Sequence, residues 1–329
     1  MNDSIRKTNR RLSLTPVCSS SQRILEFNFP QMRIGSAEYR EGPTGCTVFL
    51  FDRYVSCAVD LRGGSSCAVL LDGWETGDAQ IDAICFAGGS CCGVEAIGGV
   101  TTSIFSSRPD GYLFNRLARV MGAIIYDYRP RDNSIYPDKA LGEFAANNLV
   151  SGRFPLGACG AGSSATVGKG PDYDLWEMCG QGGAFGSTGG FSIGVFTVVN
   201  AIGAVVDRSG STVRGHVDRS SGRRMSYAEV LARASASGVI TPGGNTTHTL
   251  LVTDLMLTPY QLRQLARSVH SSMARAIHPF HALGDGDLFF AVSTQSVQGG
   301  SRSYAELLGA SAELAWDAVL SSFDPSNSR

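Results

Sequence analysis

The sequence predicts a layered α/β protein, and three observations carry that expectation. Short apolar or β-branched runs broken by glycine recur from about Arg23, and the segment after Thr246 reads strand, helix, strand, helix. A content of 43% hydrophobic and 17% charged residues supports a sizeable core. A chain of 329 residues admits two average domains or one large α/β sandwich, and length does not choose between them. Forty glycines without a collagen-like period point to tight turns and close backbone approaches.

Taken in order, residues 1–21 carry Arg6, Lys7, Arg10 and Arg11 followed by serines, with no apolar run long enough for an export signal. They read as a solvated, disordered tail. Residues 24–29 alternate as a strand, 46–51 form a continuous apolar run, and 55–61 follow across a turn around Arg53. Residues 81–105 are Ala/Gly-rich, with only Asp82 and Glu95 charged, and read as a buried helix. A phosphate-cradling loop at Gly88-Gly89 ranks below that packing role. Residues 111–122 look helical, 123–128 read as a strand, and a short helix is expected over 140–148. Gly160-x-Gly162-x-x-Ala165 has dinucleotide-loop spacing but lacks the preceding strand, and Gly168-Lys169 lacks the rest of a Walker motif. Residues 178–206 are uncharged, but polar and glycine residues dilute the first half, so two buried strands around a turn at 200–203 fit better than a membrane span.

Farther on, 207–224 reads as a hairpin tip, Ser226 caps a short helix with Glu229 at the capping-box position, and 234–244 reads as a loose linker. Beyond Thr246 a strand runs to about Leu257, and Thr258-Pro259 starts a helix whose Leu262, Leu265, Ala266, Val269 and Met273 share a face. His278-Pro279-Phe280-His281 is extended, 288–292 is a strand, and a final helix covers about 303–323.

Lys plus Arg is 28 and Asp plus Glu 29, so no bulk field favours nucleic acid or anionic membranes. Nine cysteines, an odd number lying mostly in apolar stretches, suit core packing in a reducing, cytoplasmic setting. Packing is also expected of vicinal Cys91-Cys92. His270, His278 and His281 have no spacing that shares a helical face, so no metal and no cofactor are expected.

Pro242-Gly243-Gly244-Asn245-Thr246-Thr247 is a turn-forming lead-in to a β-branched strand. Cleavage of Asn245-Thr246 would leave Thr246 as an N-terminus whose hydroxyl has its own base, the freed amine, with an ordinary pKa of about 7.7–8.0. A plain turn and an N-glycosylation sequon are the competing readings of these six residues.

Several stretches together resemble one family: Glu41-Gly42-Pro43-Thr44-Gly45-Cys46-Thr47, Ala87-Gly88-Gly89, Ile125-Tyr126-Asp127, Tyr136-Pro137-Asp138-Lys139-Ala140-Leu141-Gly142, Gly168-Lys169, Asn245-Thr246-Thr247, and His270-Ser271-Ser272-Met273 through Asp285-Gly286-Asp287. The chain is similar, over roughly 23–323, to the self-processing peptidases that include DmpA-type aminopeptidases and nylon-oligomer hydrolases. Val269-His270-Ser271-Ser272-Met273 and Pro279-Phe280-His281 draw it toward the nylon-oligomer branch.

That resemblance implies a four-layer αββα sandwich like that of N-terminal-nucleophile hydrolases, cut into a large chain (22–245) and a small chain (246–329). Four such heterodimers would form a tetramer. The nucleophile falls on Thr246, with Lys169, Tyr126, Asn200, Asp285 and Asp287 around it. Lys169 would keep the amine neutral, Asn200 would donate to the oxyanion, the two carboxylates would orient amine and lysine, and Tyr126 would bond substrate or nucleophile. Leu288 stands where the family commonly has threonine. The implied activity is hydrolysis of 6-aminohexanoate oligoamides through an acyl-enzyme. Aminopeptidase action on short peptides or β-amino acid amides, and acyl transfer of the ornithine acetyltransferase kind, are the neighbouring alternatives.

Overall fold

The computed structural model describes residues 7–170, 173–237 and 245–326. Its principal elements are β1 (Met32–Tyr39), β2 (Thr44–Leu61), β3 (Ala79–Ala87), α1 (Val94–Ser106), β4 (Val120–Ile124), α2 (Lys139–Asn147), β5 (Gln181–Thr188), β6 (Phe191–Asn200), α3 (Tyr227–Ser237), β7 (Thr246–Leu255), α4 (Pro259–Ser272), β8 (Leu288–Val297) and α5 (Ser301–Leu320). The strands hydrogen-bond in the order β5-β6-β7-β8-β2-β3-β4, with β1 also on β2. Pairs β7–β8 and β3–β4 are parallel; the rest of this path is antiparallel.

The long strand β2 turns this path into a sandwich. Its first half pairs with β1 and its second half with β8, while β3 pairs with both halves across a register shift between Leu50 and Val55. Side chains alternate across each strand, so each half-sheet has an inner and an outer face. Phe49 and Phe86 from one half meet Phe196, Leu250 and Phe290 from the other in an inner apolar layer. Ala83, Cys85 and Val48 face outward against Ile97 and Val100 of α1 and Leu141 of α2. Leu251, Phe289 and Ala291 face outward the other way, against Leu262, Leu265 and Val269 of α4 and Ala315 and Val319 of α5. Helix, sheet, sheet, helix is therefore the layer order.

The second half of the chain follows its sequence pattern closely. Thr258 caps α4 with a full capping box to Gln261, Pro259 occupies the first helical turn, and the apolar stripe is buried. Ser226 and Glu229 exchange backbone-to-side-chain bonds at the start of α3.

Other expectations need correction. Residues 46–61 contain no turn at Arg53: one strand bends there instead. The segment 81–105 is a strand followed by a helix, because Ile84 and Phe86 face the inner layer and Ala83 and Cys85 the outer one before Gly88 and Gly89 break the run. Residues 111–122 are not helical beyond a short turn at Phe114–Arg116, and their end belongs to β4. The strand expected over 123–128 stops at Ile124. The two strands expected around 200–203 are present, Phe191–Asn200 and Ala204–Val206, but they join different sheets, and a further hairpin in the segment turns at Gly189-Gly190. Helix α3 reaches Ser237, so 234–237 of the expected linker are helical; 238–244 lie outside the described residues. From Lys7 onward the segment expected as a tail lies on the body: Asn9 exchanges bonds with Tyr136, and Val17–Cys18 pairs with β1. Cys91 and Cys92 are exposed, because they sit on the surface turn before α1.

Candidate active site

Three chain ends meet at one mouth of the inner layer: the end of β6, the start of β7 and the turn before β8. Asn200, the last residue of β6, is in register with Thr246, the first of β7. Both share their strands' inner faces with Val198 and Leu250. Asn245 stands just outside the ladder, bridged in parallel to Asp285. Its N–H donates to the Gly284 carbonyl at 3.0 Å, and its carbonyl accepts the Gly286 N–H at 2.8 Å.

Lys169 arrives from a turn after Thr166–Val167. Gly168 and Gly170 flank it with φ of +71° and +51°, and a Cβ on Gly168 would stand 2.2 Å from the His216 nitrogen, so this turn excludes other residue types. The ammonium is buried. It donates to Asn200 Oδ1 at 2.8 Å, to the Asn200 carbonyl at 3.3 Å and to Asn245 Oδ1. Three acceptors match its three donors, yet burial pushes the lysine down to about 7, opposed by the charge of Asp285. Burial, and then the neighbouring Asp287, push Asp285 up to about 7, opposed by the Ile202 N–H and by Lys169. Burial thus brings a lysine and an acid, each stabilised by the other's charge, into the same pH range.

The Thr246 hydroxyl contacts the carbonyl oxygen of Asn245. With the peptide intact, the nucleophilic oxygen therefore lies beside the carbonyl it would attack. The Gly286 N–H is already aimed at the oxygen on which charge would develop. Lys169 reaches the same residue through the Asn245 side-chain oxygen.

Thr246, Asn245, Lys169 and Asn200 are thus gathered as the sequence led one to expect; three residues sit differently. The Asp285 carboxylate accepts the Ile202 and Ala282 N–H groups, each at 3.2 Å, and reaches Lys169 through its charge alone. Tyr126 enters through its backbone carbonyl, which accepts Asn200 Nδ2–H at 2.9 Å. Its ring is 36% exposed and meets Tyr128 edge-on, and its hydroxyl makes no hydrogen bond among the described residues. That carbonyl fixes which way the Asn200 amide faces, leaving Oδ1 to Lys169 and the Thr166 N–H. Asp287 touches neither lysine nor threonine hydroxyl: its Oδ1 accepts the Thr247 N–H at 2.8 Å and its Oδ2 accepts from His281. Gly286 and His281 were given no role in the site from sequence. The glycine between two aspartates was the available signal, since a Cβ there would stand 2.4 Å from the Ser65 carbonyl oxygen.

The rival sequence motifs find no support. The Gly89 N–H is occupied by the Asp127 carboxylate at 2.9 Å, and Gly160–Gly162 forms a buried turn with no helix behind it. No helix among the described residues is long and apolar enough to cross a membrane.

Fold and site together define a hydrolase of amide bonds built on an N-terminal-nucleophile type of sandwich. Comparison with known proteins gives the family: the model of peptidase family S58 matches residues 29–324, and the chain belongs to it. The chain is 42% identical over 326 residues to the 6-aminohexanoate-oligomer endohydrolase of Paenarthrobacter ureafaciens, covering 95% of this chain and 89% of that protein. Among solved structures it resembles a Burkholderia beta-aminopeptidase, with a TM-score of 0.65, 18% identity, and coverage of 95% of this chain and 90% of that one. It also resembles the L-aminopeptidase D-Ala-esterase/amidase of Ochrobactrum anthropi, described as a variant of the Ntn hydrolase fold. There the TM-score is 0.63 at 18% identity, with 89% of this chain and 83% of that one covered.

Proposed function

We propose that the chain cuts itself between Asn245 and Thr246, and that the freed Thr246 hydrolyses amide bonds of 6-aminohexanoate oligomers through an acyl-enzyme. The observation that carries the first step is the Thr246 hydroxyl against the Asn245 carbonyl while Gly286 donates to that carbonyl. Attack by Oγ1 on the carbonyl carbon, with the hydroxyl proton passing to neutral Lys169, gives a tetrahedral adduct. The C–N bond then breaks as the departing nitrogen takes a proton, leaving an ester that water hydrolyses. Thr246 is left with a free amine. In the second step the same oxygen attacks the oligomer amide, the amine product leaves, and water releases the acid, with the Thr246 amine as base. Asn200 retains one amide hydrogen beyond the one given to Tyr126, and we assign that hydrogen to the substrate oxyanion.

The substrate class is supported by the relatives at 42% identity. Incubation with a linear 6-aminohexanoate oligomer and time-resolved measurement of product lengths tests it. Internal cuts are expected; stepwise release of single terminal units would instead assign an aminopeptidase. We further propose that the two processed chains stay together and that heterodimers associate into a tetramer. Exposed apolar side chains close in sequence, Phe105, Tyr112 and Phe114, the last two 71% and 80% exposed, support association. A cytoplasmic setting is supported by nine cysteines, all of them free thiols.

A further inference from the structure

On the outer face of the sheet, toward α4, a closed circuit of contacts begins and ends on Asp287. Its Oδ1 accepts the Thr247 N–H at 2.8 Å, and its Oδ2 accepts the His281 backbone N–H at 3.2 Å and the His281 ring Nδ1–H at 2.9 Å. The His281 ring stands across that of His270, with centroids 4.4 Å apart and planes at 80°. His270 Nδ1 lies 2.9 Å from Asp60 Oδ2, which also accepts from Arg62 Nε at 2.7 Å. The Arg62 backbone N–H returns to the Asp287 carbonyl at 2.8 Å.

Two features give this circuit a purpose. First, β7 pairs with β8 only from His248 opposite Leu288 onward, so Thr246 and Thr247 have no ladder partner on that side. The Asp287 carboxylate supplies the bond that a strand would have supplied. After a cut, Asn245 and its ties to Gly284 and Gly286 belong to the other chain, and Asp287 becomes the remaining tether of the new terminus on this edge. Second, His281 is held at φ +60°, a left-handed conformation that a residue with a side chain rarely adopts. The ring reaches Asp287 from that backbone position.

We propose that His281 is a positioning residue for the threonine nucleophile: its ring N–H locks the Asp287 carboxylate onto the Thr247 N–H, and His270 with Asp60 braces the ring. This rests on the self-cleaving reading above. Deleting the ring by His281→Gly removes the donor without opposing the left-handed backbone. His281→Asn places an amide donor close to the Nδ1 position and tolerates that backbone, whereas His281→Gln reaches toward the Nε2 position.

The test follows self-cleavage over time on denaturing gels and measures kcat and KM of the cut proteins on a 6-aminohexanoate oligomer. Glycine and glutamine are expected to slow cleavage and lower kcat by about 10- to 100-fold, the scale of a misplaced reacting group. KM is expected to stay within about twofold, and asparagine to restore most of the rate. Equal rates for Asn and Gln, or wild-type rates for Gly, would overturn the proposal. If the glycine variant does not accumulate folded, the Asn/Gln contrast decides alone. A wild-type chain that neither cuts nor hydrolyses the oligomer refutes the underlying reading instead.

Discussion

Lys169 is buried, donates to three carbonyl-type oxygens, and still loses its proton near neutrality. In the proposed mechanism neutral Lys169 is the base in self-cleavage, and that form grows as pH rises through about 7. Freshly refolded protein should therefore cut faster from pH 6 to pH 8, by about the tenfold that one pKa unit commands, as followed by timed denaturing gels. A rate independent of pH across that window would remove Lys169 from the role. Gly286 offers a second residue-level test. Gly286→Ala drives a Cβ into the Ser65 carbonyl oxygen and shifts the N–H away from the Asn245 carbonyl. Loss of one oxyanion donor costs about 2.7–4 kcal/mol, so self-cleavage should slow by about 10²–10³. Thermal unfolding of the uncut variant reports whether the fold survives.

At the scale of elements, the helices of the second half were legible because each carries its own punctuation. Thr258, Pro259 and Gln261 mark the start of α4, and Leu262, Leu265 and Val269 mark its buried stripe. Residues 81–105 were not, because a strand buried on both faces and a glycine-rich helix have the same apolar composition. The site was legible in part. Thr246, Lys169, Asn200 and Asp285 rested on a family resemblance, since nothing local in a Gly-Lys-Gly turn predicts a lysine driven into the core. Tyr126 was legible as a position but not as a backbone acceptor, because a sequence displays side chains and hides which carbonyls they orient. The capping assignment has a separable consequence. Thr258→Ala should cost about 1 kcal/mol of stability in denaturant unfolding, with the self-cleavage rate unchanged. A changed rate would mean that α4 reaches the site more directly than its packing indicates.

For the molecule as a whole, two buried histidines without hydrogen-bond partners of good geometry among the described residues set a limit in acid. Burial pushes His216 and His248 down to about 4, against an unfolded value near 6.5. The unfolded chain binds more protons between those values, so folding stability is lost as pH falls from about 6.5 to about 4. Each histidine contributes on the order of 2–3 kcal/mol to that loss. His248 lies on the inner face of β7, against the Phe86 ring at 5.5 Å, and His248→Phe should flatten part of the acid slope in chemical denaturation. An unaltered slope would place the acid sensitivity elsewhere. Exhaustive chelation, at this same scale, should leave the hydrolytic rate unchanged.

The central claim is that Asn245-Thr246 is a scissile bond and Thr246 its own nucleophile. Its most direct test is a timed denaturing gel of wild type and Thr246→Ala, with the N-terminus of the smaller product read by mass spectrometry. The account predicts chains of 245 and 84 residues from the 329-residue wild type, a new terminus at Thr246, and a single intact chain from the alanine variant. A wild-type chain that stays whole while hydrolysing amides at full rate would contradict it.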